Sequence, residues 1–237
     1  MKKLIKRQKS IIIAADVPHI KALETLVKNT CRVEGIGAYK IGLELVLSHG
    51  LPKLVSVIRK HTNLSIIYDQ QKAATDIPEM GKRFAKACQS AGVDSVILFP
   101  FGGVKTEISW IKACQKKNLI TIVGAHMTQP QFLTSQGGFI NDNAPQKIFR
   151  IAAQNGVKNF VVPGNKPEYV KKYRQLLEKL LGKGNITLYA PGFIAQKGNI
   201  SEAGKSAGKN WHAIVGRAIY QAKDQTKAAE EITRQIK

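Results

Sequence analysis

The segment LSIIYDQQKAATDIPE, residues 64–79, passes abruptly from an apolar run to a charged one. Leu64, Ile66, Ile67 and Tyr68 read as a buried strand, so Asp69 falls where that strand opens into a loop. In parallel α/β folds this is where catalytic side chains gather. Lys72 and Asp76 follow in the same loop. A lysine between two acids in a partly dry site is either a structural ion pair or a proton donor whose charge is used. The segment alone does not decide between them.

Outward from this run, similar short apolar stretches recur at 11–15, 37–41, 95–99, 120–124, 159–162, 186–189 and 213–215, which makes eight strand candidates. Helical periodicity fills the gaps, as in Ile20, Leu23, Leu26 and Val27, or Phe84, Ala87, Cys88 and Ala91 before the stop signal Gly92. Alternating β and α units imply a parallel sheet. Eight units within 237 residues, close to the ~250 of a (β/α)8 barrel, favour closure over an open doubly wound sheet. No Pro- or Ser-rich linker divides the chain. The expected architecture is therefore one α/β domain over residues 1–237, a (β/α)8 TIM barrel with residues 1–9 as a basic N-terminal extension.

Composition narrows the function classes. The cysteines Cys31, Cys88 and Cys114 show no CxxC or Cys/His spacing, so neither a disulfide framework nor a zinc site is indicated, and a reducing cytoplasm is expected. The opening apolar stretch ends at Asp16, too early for a signal-peptide core, and no segment is long enough to span a membrane. With 37 Lys and Arg against 16 Asp and Glu the net charge is +21. That charge raises nucleic-acid binding as an idea, but the basic residues are dispersed (Lys6, Arg7, Lys82, Arg83, Lys171, Lys172) without a known nucleic-acid-binding pattern. A solvated basic surface that attracts anionic substrates is the expected reading.

If the barrel closes, the residues after each strand form its active mouth: Asp16, Lys40, Asp69, Pro100, Met127 with Thr128, Pro163, Pro191 with Gly192, and Gly216 with Arg217. Asp16, Lys40, Asp69 and Lys72 would alternate in sign, each holding its neighbour ionised. Lys40, flanked by Tyr39, Ile41 and Gly42, would need a partner to be buried at all. Asp76 has two readings, because Asp76, Ile77, Pro78, Glu79 also resembles a helix N-cap with a capping-box acid. Gly216 and Arg217, after the last strand, resemble a phosphate site, to which Gly192, Gln196 and Gly198 could add amide donors. Thr128 could meet a planar polar ligand, and His126 reads as structural more readily than catalytic. No Ser/His/Asp triad, P-loop, GxGxxG or HExxH pattern is present.

Taken together, AAD, YKIG, D…K…DIP, HMTQP, VVPGNKPE, PGFIAQKG and IVGRAIY, in this order over nearly the whole chain, resemble orotidine 5'-phosphate decarboxylase in its shorter archaeal-like form. The resemblance implies conversion of orotidine 5'-monophosphate to uridine 5'-monophosphate and carbon dioxide, the last step of de novo pyrimidine biosynthesis, without metal or organic cofactor. It implies that Asp16 and Lys40 contact the ribose. Lys40, Asp69, Lys72 and Asp76 would form the catalytic network, with Lys72 protonating the ring carbon and Asp76 reaching in from the partner of a homodimer. Thr128 would meet the pyrimidine edge, and Gln196 would bridge base and phosphate. Gly216 and Arg217 would hold the phosphate, and Pro191 and Gly192 would belong to a loop closing over the ligand.

One departure bears on the acids: the family pattern D-x-K-x-x-D is here D-x-x-K-x-x-x-D, which puts Gln70 where register from Lys72 expects the first carboxylate. Either the backbone bulges so that Asp69 still serves, or an amide has replaced the acid. The small residues Ala73 and Ala74 and the lack of another nearby acid favour the bulge. Met80 stands where a threonine is expected. The rival enzymatic reading is a magnesium-dependent sugar-phosphate decarboxylase or aldolase of the same superfamily, acting on 3-keto-gulonate 6-phosphate or hexulose 6-phosphate. A non-catalytic basic nucleic-acid-binding protein is the alternative from another class.

Overall fold

The computed structural model describes residues 3–70, 73–192 and 200–236, with residues 201–203 described by backbone alone. Eight strands, β1 (Lys9–Ala14), β2 (Ile36–Ile41), β3 (Ser65–Tyr68), β4 (Ser95–Leu98), β5 (Ile120–Gly124), β6 (Asn159–Val161), β7 (Thr187–Ala190) and β8 (Trp211–Val215), pair in sequence order and close β8 onto β1. Every pairing is parallel. Helices α1 (Ile20–Thr30), α2 (Leu43–His49), α3 (Leu51–Arg59), α4 (Met80–Ala91), α5 (Val104–Lys116), α6 (Ala144–Gln154), α7 (Pro167–Leu181), α8 (Ile200–Ala207), α9 (Arg217–Tyr220) and α10 (Gln225–Thr233) fill the crossovers and the C-terminus. The expected (β/α)8 barrel is the observed fold.

The period-2 geometry of strands divides each one between two apolar environments. Ile12, Ile67, Ile97, Ile122, Val161, Tyr189 and Ile214 point into the barrel. Ile11, Ile13, Tyr39, Ile66, Val96, Val123 and Phe160 face the helical ring. Both sets are buried, which is why the strands read as unbroken apolar runs. Phe99 fills the upper interior, and a Cβ on Gly124 would collide with its ring, so the glycine makes room for the phenylalanine. Leu4 and Ile5, within the stretch expected as a basic extension, are buried in the interior cluster.

Helix boundaries follow local chemistry. His19 Nδ1 accepts from the Ala22 amide at 3.1 Å and caps α1, whose buried face is Leu23, Leu26 and Val27. Each of these side chains contributes roughly 2 kcal/mol by leaving water. Gly50, at φ 76°, separates α2 from α3. Among the described residues no helix is long and apolar enough to cross a membrane.

One buried carboxyl in the helical ring yields a pH prediction. Glu107 on α5 is 1% exposed, and its Oε1 has no partner among the described residues. Burial pushes its carboxyl up to about 8, only partly opposed by the Ala152 backbone. Because the folded value lies above the unfolded one, the stability tied to the bound proton is fully present below about pH 4.3 and is lost as pH rises towards about 8. Glu107→Gln should remove that loss, making the variant more stable than wild type at about pH 9 by up to about 5 kcal/mol, with little difference at about pH 4. Urea denaturation at both pH values checks this; equal gains at both would contradict it.

Candidate active site

At the carboxyl ends of the strands a cavity of about 220 Å³ opens into the barrel mouth. Its apolar floor includes Ile97, Phe99, Val161 and Ile214, and its polar wall brings together Asp16, Lys40, Asp69, Thr128, Pro191, Gly192, Gly216 and Arg217. These side chains come from loops widely separated in sequence. The barrel assembles them because each lies at or beyond the carboxyl end of a parallel strand, and the ladder extends just past the strands, with Ala15 N–H donating to Lys40 O and Asp69 N–H to Ile41 O, both at 2.9 Å.

The centre of the wall is ionic. Lys40 Nζ lies 3.0 Å from Asp69 Oδ2 and 3.5 Å from Asp16 Oδ1. Lys40 and Asp69 are each 7% exposed, whereas Asp16 is open to the cavity. Burial works against the Lys40 ammonium, but the Asp69 and Asp16 carboxylates and their hydrogen bonds outweigh it and hold its pKa above the ordinary lysine value. A cation survives here only because two acids face it. Gly42 allows the approach: a Cβ there would sit 2.6 Å from Asp16 Oδ1.

Of the two candidates for the first acid position in the β3 loop, Asp69 is the one that faces Lys40. The Gln70 Oε1 accepts from the Tyr68 hydroxyl at 3.1 Å. Ala73 N–H donates to Gln70 O at 2.7 Å, and Ala74 takes the left-handed conformation at φ 66°, an uncommon choice for a residue with a Cβ. Asp69 Oδ1 is buried without a partner among the described residues. Lys72 and Gln196 lie outside the described residues, as does Gly198.

Asp76 does not line the cavity. It is exposed, its Oδ1 accepts from the Ile77 amide at 2.7 Å, and the neighbouring Ile77 is 58% exposed. Nor does it cap a helix, because α4 begins only at Met80, after Glu79. The Ser109 hydroxyl and the Trp110 indole N–H donate to the carbonyls of Pro78 and Ile77 at 2.9 and 3.1 Å, which ties residues 77–78 to α5.

The β8 end differs from expectation in one respect: the helical run after Gly216 is a single turn, Arg217–Tyr220. Its dipole is correspondingly small, so attraction for an anion rests on the Arg217 guanidinium, which is exposed and has no carboxylate partner among the described residues. Tyr220, which the sequence reading did not single out, also lines the cavity, and burial followed by the Asp16 charge pushes its phenol up. Its position three residues after Arg217, one helical turn on, was the available signal.

His126, expected to be structural, is 1% exposed, with Nδ1 2.8 Å from the Tyr173 hydroxyl and Nε2 3.1 Å from Lys166 Nζ.

A sequence model of the orotidine 5'-phosphate decarboxylase / HUMPS family matches residues 9–232. Orotidine 5'-phosphate decarboxylase of Methanosarcina mazei is 30% identical over 232 residues, covering 98% of this chain and 97% of that protein. The protein of the same name from Pyrococcus furiosus is 31% identical, covering 98% and 93%. Among solved structures, orotidine 5'-monophosphate decarboxylase from Methanocaldococcus jannaschii, complexed with the inhibitor BMP, superposes with a TM-score of 0.83 at 26% identity, covering 96% of this chain and 98% of that one. With sequence and fold agreeing over nearly the full length, the chain belongs to the orotidine 5'-phosphate decarboxylase / HUMPS family.

Proposed function

We propose that this protein removes carbon dioxide from orotidine 5'-monophosphate to give uridine 5'-monophosphate, in the cytoplasm, as a homodimer and without metal or organic cofactor. The observation that carries the reading is the cluster of Asp16 with the buried Lys40–Asp69 pair, in one cavity with the Arg217 guanidinium, which has no carboxylate partner among the described residues. Around the barrel, Arg217 follows β8, while Asp16 follows β1, Lys40 lies at the carboxyl end of β2 and Asp69 follows β3. A nucleotide with its phosphate at Arg217 and Gly216 sets its ribose against Asp16 and Lys40. Its ring then lies between Asp69 and Thr128 of the loop after β5.

In the reaction the bond from ring carbon C6 to the carboxylate breaks, carbon dioxide leaves, and the electron pair stays on C6. Lys72 stabilises that charge and gives C6 a proton, then recovers one from water. Asp69 Oδ1, buried and without a described partner, is the acceptor we assign to the Lys72 ammonium, while Oδ2 is occupied by Lys40. Asp76 is assigned to the neighbouring subunit's site; its exposure beside the exposed apolar Ile77 supports a subunit contact there. Gln196 bridges base and phosphate as the Pro191–Gly192 loop closes, so that phosphate binding contributes to orientation at the ring.

The test is loss of orotidine absorbance with chelator present. Turnover under those conditions supports the reading; turnover only of a sugar phosphate with added magnesium overturns it. Arg217→Ala should raise KM for orotidine 5'-monophosphate and lower kcat/KM by about a hundredfold to a thousandfold, since charge-assisted bonds to phosphate are lost, while the chemical step at saturation changes far less. An unchanged KM would remove Arg217 from the phosphate site.

A further inference from the structure

Four consecutive residues of the β5 loop, His126 to Gln129, are fastened to just two residues of the next loop. Lys166 Nζ lies 3.4 Å from Met127 O and 3.3 Å from Gln129 O, and donates to His126 Nε2 at 3.1 Å. The Asn165 amide donates to Thr128 O at 3.1 Å. Thr128 is thus held at its own carbonyl and at the carbonyls on either side, while it contributes to the cavity wall.

The chemistry of the anchor is self-consistent. An ammonium has no lone pair, so His126 Nε2 must accept, and the ring's proton sits on Nδ1, donating to the Tyr173 hydroxyl. Burial, then the charges of Lys166 and Lys172, push the imidazole down to about 4, which keeps it a neutral acceptor at physiological pH. Tyr173 is itself buried on α7, and His126 stacks on Phe132 and meets Tyr169 edge-on. The strap therefore ties the Thr128 turn to the packed α7 face.

We propose that Asn165 and Lys166 are positioning residues for base recognition: they fix the Thr128 turn so that it meets the pyrimidine edge, and they have no part in holding the ribose phosphate. The inference rests on the decarboxylase reading above. It predicts a loss confined to ligands that carry the base. In calorimetric titration of the full-length protein, Lys166→Met should weaken uridine 5'-monophosphate by about tenfold, the scale of one displaced polar contact, and leave ribose 5-phosphate within about twofold. Lys166→Arg, which keeps cationic donors, should recover part of the loss. In a Thr128→Ala background, Lys166→Met should add little, because both changes act on one contact.

Equal weakening of both ligands, no weakening of either, or full additivity with Thr128→Ala would each overturn the proposal. Should Lys166→Met not fold, Asn165→Ala in the same pair of titrations decides by the same outcomes. Absence of decarboxylation by the wild-type protein would overturn the reading beneath it; wild-type turnover with a base-independent Lys166→Met would overturn the strap alone.

Discussion

Lys72→Ala is expected to abolish decarboxylation for practical purposes, with kcat falling on the order of ten-thousandfold or more, while affinity for uridine 5'-monophosphate changes by less than about tenfold. The asymmetry follows from when the charge appears. In the bound product the ring is neutral and an ammonium beneath it gains little. In the transition state C6 carries carbanion-like charge in a site with an apolar floor, where a fixed cation acts at low dielectric and also supplies the proton. The alanine variant loses both functions, and Asp69 Oδ1 loses the cation assigned to it. Rapid turnover by Lys72→Ala would refute the assignment, and a parallel collapse of product affinity would recast Lys72 as a binding residue. The same variant tests the shared site. If Asp76 serves the neighbouring subunit, mixing inactive Lys72→Ala with inactive Asp76→Asn should restore roughly a quarter of wild-type activity, because each hybrid dimer contains one unaltered site. No recovery after subunit exchange would place Asp76 in its own subunit.

Much of this was legible in the sequence, and for identifiable reasons. Strands of a closed parallel barrel are covered on both faces, so β1 to β8 stand out as apolar runs, and the rule that chemistry follows each run finds Asp16, Lys40, Asp69, Thr128, Gly192 and Arg217 together. What escaped depends on contacts between segments distant in the chain. Leu4 and Ile5 look like part of a basic tail until the barrel base is seen to bury them. The cap expected at Asp76 is absent because α4 starts only at Met80, on a segment whose Pro78 and Ile77 carbonyls accept from Ser109 and Trp110, some thirty residues on. The strap from Lys166 to residues 126–129 joins loops separated by 37 to 40 positions, and a lysine before a proline gives no hint of it. Local pattern reports the period of burial; it carries little information about which loop carbonyl a side chain will find.

Lys40→Met should do damage of two separable kinds. Lys40 and Asp69 are buried together at 3.0 Å, and removing one member of such a pair leaves a desolvated charge, for which about 3–5 kcal/mol of stability is the usual loss. Pairing Lys40→Met with Asp69→Asn removes both charges, so the double variant should regain much of that stability in urea denaturation, giving a coupling energy of the same order. Activity should not return with it. The ribose would lack its ammonium, and Lys72 would lack the carboxylate assigned to hold it, so both the single and the double variant should turn over at least about a thousandfold more slowly than wild type. The wild-type pair also has a pH signature. The folded pKa of Lys40 lies above its unfolded value, so its contribution is fully present below about pH 10.4 and is lost as pH rises through the folded value. Stability should therefore fall more steeply at alkaline pH in wild type than in the double variant. A single variant as stable as wild type would show that the two acids tolerate each other without the lysine. A double variant that recovers turnover along with stability would show that the cluster holds the barrel mouth together and contributes nothing to the chemistry.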